Sequence, residues 1–243
     1  MKLSTLRIVP SMAAVLEIPP GKALINTVNA HSFNVAQKDE AFAEALTHGD
    51  YLLPDGASIV MACQWLKNGV SHPMERIAGW DLFEMEMRRL NERGGSCMFM
   101  GSSEQVLAKI KERAANDYPS IEVITYSPPY KAEFSQEDDE AIIQAINNSH
   151  PDLLWIGMTA PKQEKWAWQH WDELDIDCHV GTIGAVFDFF AGTARRAPRW
   201  WQEHSLEWLY RLCMEPERMW RRYVLGNTLF LYHVMKEKLT GTP

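Results

Sequence analysis

The sequence predicts an α/β fold: a mainly parallel sheet with helices on both faces, followed by a C-terminal helical appendage. Three observations carry this. Short apolar runs alternate with segments of helical period along most of the chain. Polar and glycine-rich residues follow five of these runs, as they do where parallel strands end at a ligand-binding edge. After Gly192 the alternation stops and a basic, Trp-rich sequence takes over. The 243 residues, 46% hydrophobic and 23% charged, supply enough apolar material for one large domain with a full core.

The elements follow in order. Ala23 to Val28 is the first apolar run, and a helical stretch extends from about Ser32 to Thr47. Tyr51 to Leu53 and a helix over Ala57 to Lys67 make the second unit, with a further helix from Trp80 to Glu92. Ser96 to Met100 reads as a buried strand closed by Gly101, and its helix runs to about Asn116. Ile121 to Tyr126 repeats the strand signal, and Ser135 opens a helix with Asp138 at capping-box spacing. Asp152 to Ile156, a helix from about Lys162, and Ile176 to Val180 complete the pattern. Repeated β-α units require a largely parallel sheet covered on both faces. The expected division is a catalytic domain over residues 1–192 and an appendage over 193–243, with helices at Ser205 to Met214 and from Pro216 to about Lys238.

Composition excludes several functional classes. Cys63, Cys97, Cys178 and Cys213 form no CxxC pair, which argues against a zinc site or a disulfide framework. The eight histidines show no paired ligand spacing, so no metal site is expected. No apolar run approaches the ~20 residues needed to span a bilayer, and no signal-peptide pattern is read in Met1 to Pro20. The net charge of −8 is uneven: residues from Thr193 onward hold nine basic and five acidic groups, the rest 15 and 27. An acidic body disfavours nucleic acid. The basic tail, with Trp200, Trp201, Trp208, Trp220 and Tyr223, instead fits an anionic membrane surface or a phosphate-bearing lipid. Its apolar residues could equally pack against another subunit, so a homo-oligomer remains an open expectation. The expected location is the inner face of the cytoplasmic membrane, with peripheral attachment.

Candidate chemistry gathers after the strands. Asp55, in Pro54-Asp55-Gly56, can act as a general base toward an acceptor hydroxyl, or simply cap the next helix. Gly101 and Ser102 open a helix whose first N–H groups could hold phosphate, although an ordinary turn has the same pattern. Gln163 begins a helix beside the same edge and is a candidate polar contact, and Gly184 sits in a partial phosphate-binding turn. Asp175 and Asp177 resemble a metal-holding acidic pair but precede a strand, which places them at the opposite edge. Trp166, Trp168 and Trp171 fit a partly buried helix face. No GxGxxG or Walker pattern is present, which weakens the case for a nucleotide-dependent oxidoreductase.

The ordered set of segments resembles the WecG/TagA/CpsF family of bacterial glycosyltransferases (glycosyltransferase family 26). The matching segments are Thr27-Val28-Asn29, Pro54-Asp55-Gly56, Glu75 to Asp81, Ala160 to Glu164, Gly184 to Asp188, Arg196-Ala197-Pro198, and Leu206 to Tyr223 with its Arg and Trp residues. The resemblance implies a Rossmann-like core and an inverting, metal-independent transferase that needs no cofactor. Its donor would be a UDP-sugar of the N-acetylmannosamine type or a related hexose, and its acceptor a sugar on polyprenyl diphosphate. Asp55 would be the base. Thr27, Asn29, Arg76, Gln163, Gly101, Ser102, Gly184 and Asp188 are the expected substrate-binding positions. Arg211, Arg218 and Arg221 are expected to meet the acceptor diphosphate and the membrane, joined by Arg222, which shares a helical face with Arg211 and Arg218 if the break at Pro216 preserves helical phase. The alternative is a catalytically inactive nucleotide-binding partner in a polysaccharide-assembly complex.

Overall fold

A computed structural model describes residues 1–67, 69–198, 200–201, 206–214 and 216–240, apart from the side chains of Arg211, Arg218, Arg221 and Arg222. Six strands form one sheet: β1 (Ala23–Val28), β2 (Tyr51–Pro54), β3 (Gly95–Gly101), β4 (Ile121–Tyr126), β5 (Leu153–Gly157) and β6 (His179–Thr182). Their order is β2-β1-β6-β5-β3-β4, and every neighbouring pair is parallel. All six carboxyl ends therefore open on one edge.

The apolar runs are continuous because both faces of the sheet are covered. Successive side chains point to opposite faces. Cys97, Phe99, Leu153 and Trp155 enter one core cluster, and Met98, Met100, Leu154 and Ile156 another. The first face packs against α1 (Met12–Leu16), α5 (Gly79–Arg93), α6 (Glu104–Asp117) and α9 (Gly184–Phe190). The second carries α7 (Gln136–Ser149) and α8 (Lys162–Gln169) over its centre. Toward the β2 edge lie α2 (Ala30–Ala36), α3 (Glu40–His48) and α4 (Ala57–Leu66). Trp166 is buried and Trp168 and Trp171 are partly buried against the second face, as their spacing predicts.

Two expected elements before residue 193 differ in detail. The helical stretch over residues 32–47 is two helices, because Asp39 leaves the helix and caps α3, its carboxylate accepting the Phe42 N–H. The last strand begins at His179 rather than Ile176. Ile176 and Cys178 are buried in the core, but the Asp175 N–H is taken by Asn147, outside the ladder. Ser135 does cap α7 with Asp138 in a capping box, as read.

The C-terminal segment forms α10 (Glu207–Met214), α11 (Pro216–Trp220), a π-helical turn (Arg221–Leu225) and α12 (Gly226–Thr240). The long helix expected from Pro216 is thus interrupted at the π turn. Phe230 and Val234 of α12 are buried in the cluster formed by α2, α4 and the first residues of the chain. Phe230 meets Phe33 edge-on at 5.5 Å, and the Asn34 amide donates to the Gly226 carbonyl at 2.7 Å. The N–H groups of Leu3 and Ser4 and the Ser4 hydroxyl donate to the Glu237 carboxylate. Among the described residues no helix is long and apolar enough to cross a membrane.

Candidate active site

The loops after β1 and β2 are locked together by backbone. The Asp55 N–H donates to the Val28 carbonyl at 2.9 Å, and Gly56 lies so close to Asn29 that an added Cβ would touch its side chain at 3.5 Å. Asn29 caps α2: its Oδ1 accepts the His31 and Ser32 N–H groups, while Ser32 Oγ accepts the Asn29 N–H. Thr27 is half-buried in β1, in register with Leu53 of β2. The N-cap of α4 is Gly56, which makes no side-chain cap. The Asp55 carboxylate instead approaches Arg76, with Oδ1 3.6 Å from Nη2.

Arg76 joins three parts of the chain. Its Nη2 lies 3.0 Å from Glu207 Oε2 on α10 as well as 3.6 Å from Asp55. Burial alone would weaken the Arg76 cation; Asp55 and Glu207 more than reverse that and hold its pKa above the ordinary value. Arg196 lies nearby, 3.8 Å from Asp81 and 5.0 Å above the Trp80 ring. There burial outweighs the attraction of Glu207, Asp81 and Asp55, so its pKa is lowered. Gly79, at the start of α5, packs on Ile183, where a Cβ would be 3.2 Å away. That contact holds the Arg76–Asp81 segment against the turn after β6.

The turns after β3, β5 and β6 form a second locked group. Gly101 has φ +126°, and a Cβ there would come within 2.3 Å of the Gly157 carbonyl oxygen, so only glycine fits. Ser102, at φ +55°, donates its N–H to the same carbonyl at 2.9 Å. Ser103 caps α6 by accepting the Val106 N–H. Gln163 is buried, and its Oε1 accepts the N–H groups of both Met158 and Gly184 at 3.1 Å. It clamps the loop after β5 to the start of α9. A Cβ on Gly184 would meet the Met158 carbonyl oxygen at 2.1 Å. Gln163 Nε2 donates to Glu164 Oε1 at 2.8 Å. Glu164 itself is buried, its Oε2 has no hydrogen-bond partner among the described residues, and burial pushes its pKa up to about 7.

The predicted positions are therefore not equivalent. Asp55 and Arg76 meet directly; Gly101 and Ser102 join Gly157; Gln163 joins Gly184. Asp188 is exposed one turn further along α9, where its carboxylate accepts the Thr193 hydroxyl at 3.0 Å. The side chains of Arg211, Arg218, Arg221 and Arg222 lie outside the described part of the structure. Asp175 and Asp177 do precede β6, at the opposite edge of the sheet. No group of three His, Cys, Asp or Glu side chains able to hold a metal occurs among the described residues. Glu164, Arg196 and Glu207 fall inside the family-like segments, where their sequence alone does not distinguish them from solvated charges. For Glu164, the placement of an acid three residues before the buried Ala167 was the available signal.

The model of the glycosyl transferase WecG/TagA/CpsF family matches residues 2–243. The chain belongs to this family. Curated relatives of the transferase include proteins named N-acetylglucosaminyldiphosphoundecaprenol N-acetyl-β-D-mannosaminyltransferase. The one from Bacillus subtilis (strain 168) is 29% identical over 216 residues, covering 89% of this chain and 80% of the relative. The one from Bacillus spizizenii is 31% identical over 223 residues, covering 91% and 82%, and the one from Staphylococcus aureus (strain MW2) is 27% identical over 214 residues, covering 88% and 80%. The chain is a glycosyltransferase on a Rossmann-like sheet. Its Asp55–Arg76 pair stands at the edge where such sheets bind their ligands.

Proposed function

We propose that this transferase moves an N-acetylmannosamine-type sugar from a UDP-sugar to a sugar carried on polyprenyl diphosphate, with Asp55 as general base. The observation that carries the reading is the Asp55 carboxylate: it follows β2 at the ligand edge, leaves the capping of α4 to Gly56, and faces Arg76 at 3.6 Å. The names of the relatives support the choice of transferred sugar and of acceptor.

In the proposed step, Asp55 takes the proton of an acceptor hydroxyl as its oxygen attacks the anomeric carbon. The bond to the nucleotide diphosphate breaks on the opposite side, so configuration inverts. A β-linked product then follows from an α-linked nucleotide sugar. Charge on the leaving diphosphate is stabilised by arginine and backbone N–H groups, so no metal is needed. Gln163 and Gly184 hold the loops after β5 and β6 in place beside the site, since the Gln163 oxygen is already committed to two N–H groups. The exposed Trp200, Trp208, Trp220, Leu225, Leu231 and Met235 supply a surface for peripheral membrane contact, which brings the enzyme to its lipid-linked acceptor.

The test is Asp55→Asn, assayed by UDP release with UDP-N-acetylmannosamine and a polyprenyl-diphosphate-linked N-acetylglucosamine, in the presence of a chelator. Transfer should fall by at least ~100-fold while UDP binding persists. Substantial residual transfer removes Asp55 as base, and loss of wild-type activity with the chelator removes the metal-free step.

A further inference from the structure

Around Asp55 the fold assembles a compact group of charges from four segments: Asp55 after β2, Arg76 and Asp81 at the start of α5, Arg196 after α9, and Glu207 on α10. Two guanidinium groups brought within range of one another repel, and the repulsion is felt at Arg196. Glu207 offsets that repulsion: it accepts a hydrogen bond from Arg76 at 3.0 Å and attracts Arg196, which itself lies 3.8 Å from Asp81. The Glu207 side chain is mostly buried, at 12% exposure, so its charge is poorly screened by water.

A carboxylate hydrogen-bonded to one arginine beside a second presents charged acceptor oxygens where a phosphate could present its own. The same Arg76 nitrogen is divided between Glu207 and the more distant Asp55. An arginine so engaged cannot offer a fork to a phosphate until the carboxylate leaves. A diphosphate arriving there competes with the Glu207 carboxylate for Arg76.

We infer that Arg76 and Arg196 form a seat for a substrate diphosphate, and that Glu207 occupies this seat as an internal competitor until the substrate displaces it. This rests on the transferase reading above and adds to it Arg196 as a ligand and Glu207 as a gate. The diphosphate is either that of the nucleotide donor or that of the lipid-linked acceptor, and the two are separable.

The experiment measures Kd for UDP by calorimetry and for a short-chain, soluble polyprenyl-diphosphate sugar by competition, in wild type, Glu207→Gln, Arg196→Ala, Arg76→Ala and the Glu207→Gln/Arg76→Ala double variant. Glu207→Gln should bind one of the two ligands about three- to tenfold more tightly, the ligand affected being the one that uses the seat. Arg196→Ala should weaken the same ligand by at least about fivefold. In the Arg76→Ala background the gain from Glu207→Gln should vanish. Should Arg76→Ala fail to fold by circular dichroism, Arg76→Lys takes its place in the cycle, since it keeps the charge and loses the fork. Unchanged or weaker binding of both ligands by Glu207→Gln overturns the gate. A gain that persists without Arg76, or an Arg196→Ala variant with both affinities intact, overturns the seat. If wild type binds neither ligand, the transferase reading fails as well; if it binds and Glu207→Gln changes nothing, only this inference fails.

Discussion

Glu164→Gln isolates the energetic cost of a carboxyl group that the fold buries beside its clamp. Glu164 is 2% exposed, accepts one hydrogen bond from Gln163, and keeps Oε2 without a partner among the described residues. Burial lifts its pKa from the ordinary 4.5 to about 7. Between those values the folded chain holds a proton that the unfolded chain has released, so stability falls as pH rises. At ~1.4 kcal/mol per pH unit the gap amounts to about 3 kcal/mol, of which roughly 2 to 3 kcal/mol develops between pH 5 and 8. Glutamine has nearly the same shape, its carbonyl oxygen can still accept from Gln163, and it does not titrate. Any penalty for its unpaired amide is the same at every pH and cancels in the difference. Urea unfolding of both proteins at pH 5, 6, 7 and 8 should therefore show the variant gaining about 2 to 3 kcal/mol on the wild type across that range. A difference flat to within ~0.5 kcal/mol, or one that grows in favour of the wild type, would refute the argument that burial keeps this carboxyl protonated.

His179 tests electrostatics at the opposite edge of the sheet. Its ring nitrogens lie 2.9 Å from the Glu86 carboxylate and from the Pro19 carbonyl, two acceptors that favour the doubly protonated ring. Its hydrogen bond to Glu86 raises its pKa. The stability it supplies is complete below the ordinary 6.5 and is lost as pH rises through the higher folded value. His179→Ala leaves Glu86 buried without that partner and should cost about 3–5 kcal/mol at pH 6, read by urea unfolding; a loss under ~1 kcal/mol would show that the pair is not held as an ion pair. Gly101→Ala forces a Cβ against the Gly157 carbonyl at a φ that disfavours side chains, and should cost on the order of 3 kcal/mol, with thermal unfolding as the readout. Leu231→Glu with Met235→Glu on the exposed side of α12 should abolish sedimentation with anionic vesicles while leaving the fold intact by circular dichroism; unchanged sedimentation removes this face from the proposed membrane surface.

The fold was legible where local physics decides it. Ala23–Val28, buried on both faces, reads as an apolar run, and the edge strand Ile121–Tyr126, with Glu122 exposed, still stands out by its β-branched and aromatic residues; both fall at the observed boundaries. Ser135 carries its own cap three residues before Asp138. The break at Asp39 was hidden because an acid fits either an exposed helix position or a cap, and the choice was made by its Phe42 and Lys165 contacts. The short helix α9 was missed for a similar reason: its buried Val186, Phe187 and Phe190 follow from contacts with β5 and α6, while seven residues show too little period to be read.

The candidate site divides along the same line. Asp55, Gly101 and Gly184 could be found because each follows a strand, and a parallel sheet gathers strand ends whatever the rest of the chain does. What surrounds them could not. Arg76 and Glu207 are 131 residues apart, and nothing in the period or composition of either segment names the other. Charged residues are ordinarily solvated, so an ion pair leaves no pattern in a sequence; it leaves one only in the structure, as a salt link held at low exposure. Gln163 makes the converse point. Its place at a ligand edge made it look like a contact that reaches outward, and its burial turns the same amide into the link between two loops. Position along the chain thus locates the chemistry, while the division of labour among neighbouring polar groups is set by which partners the packed loops bring within 3 Å of each one.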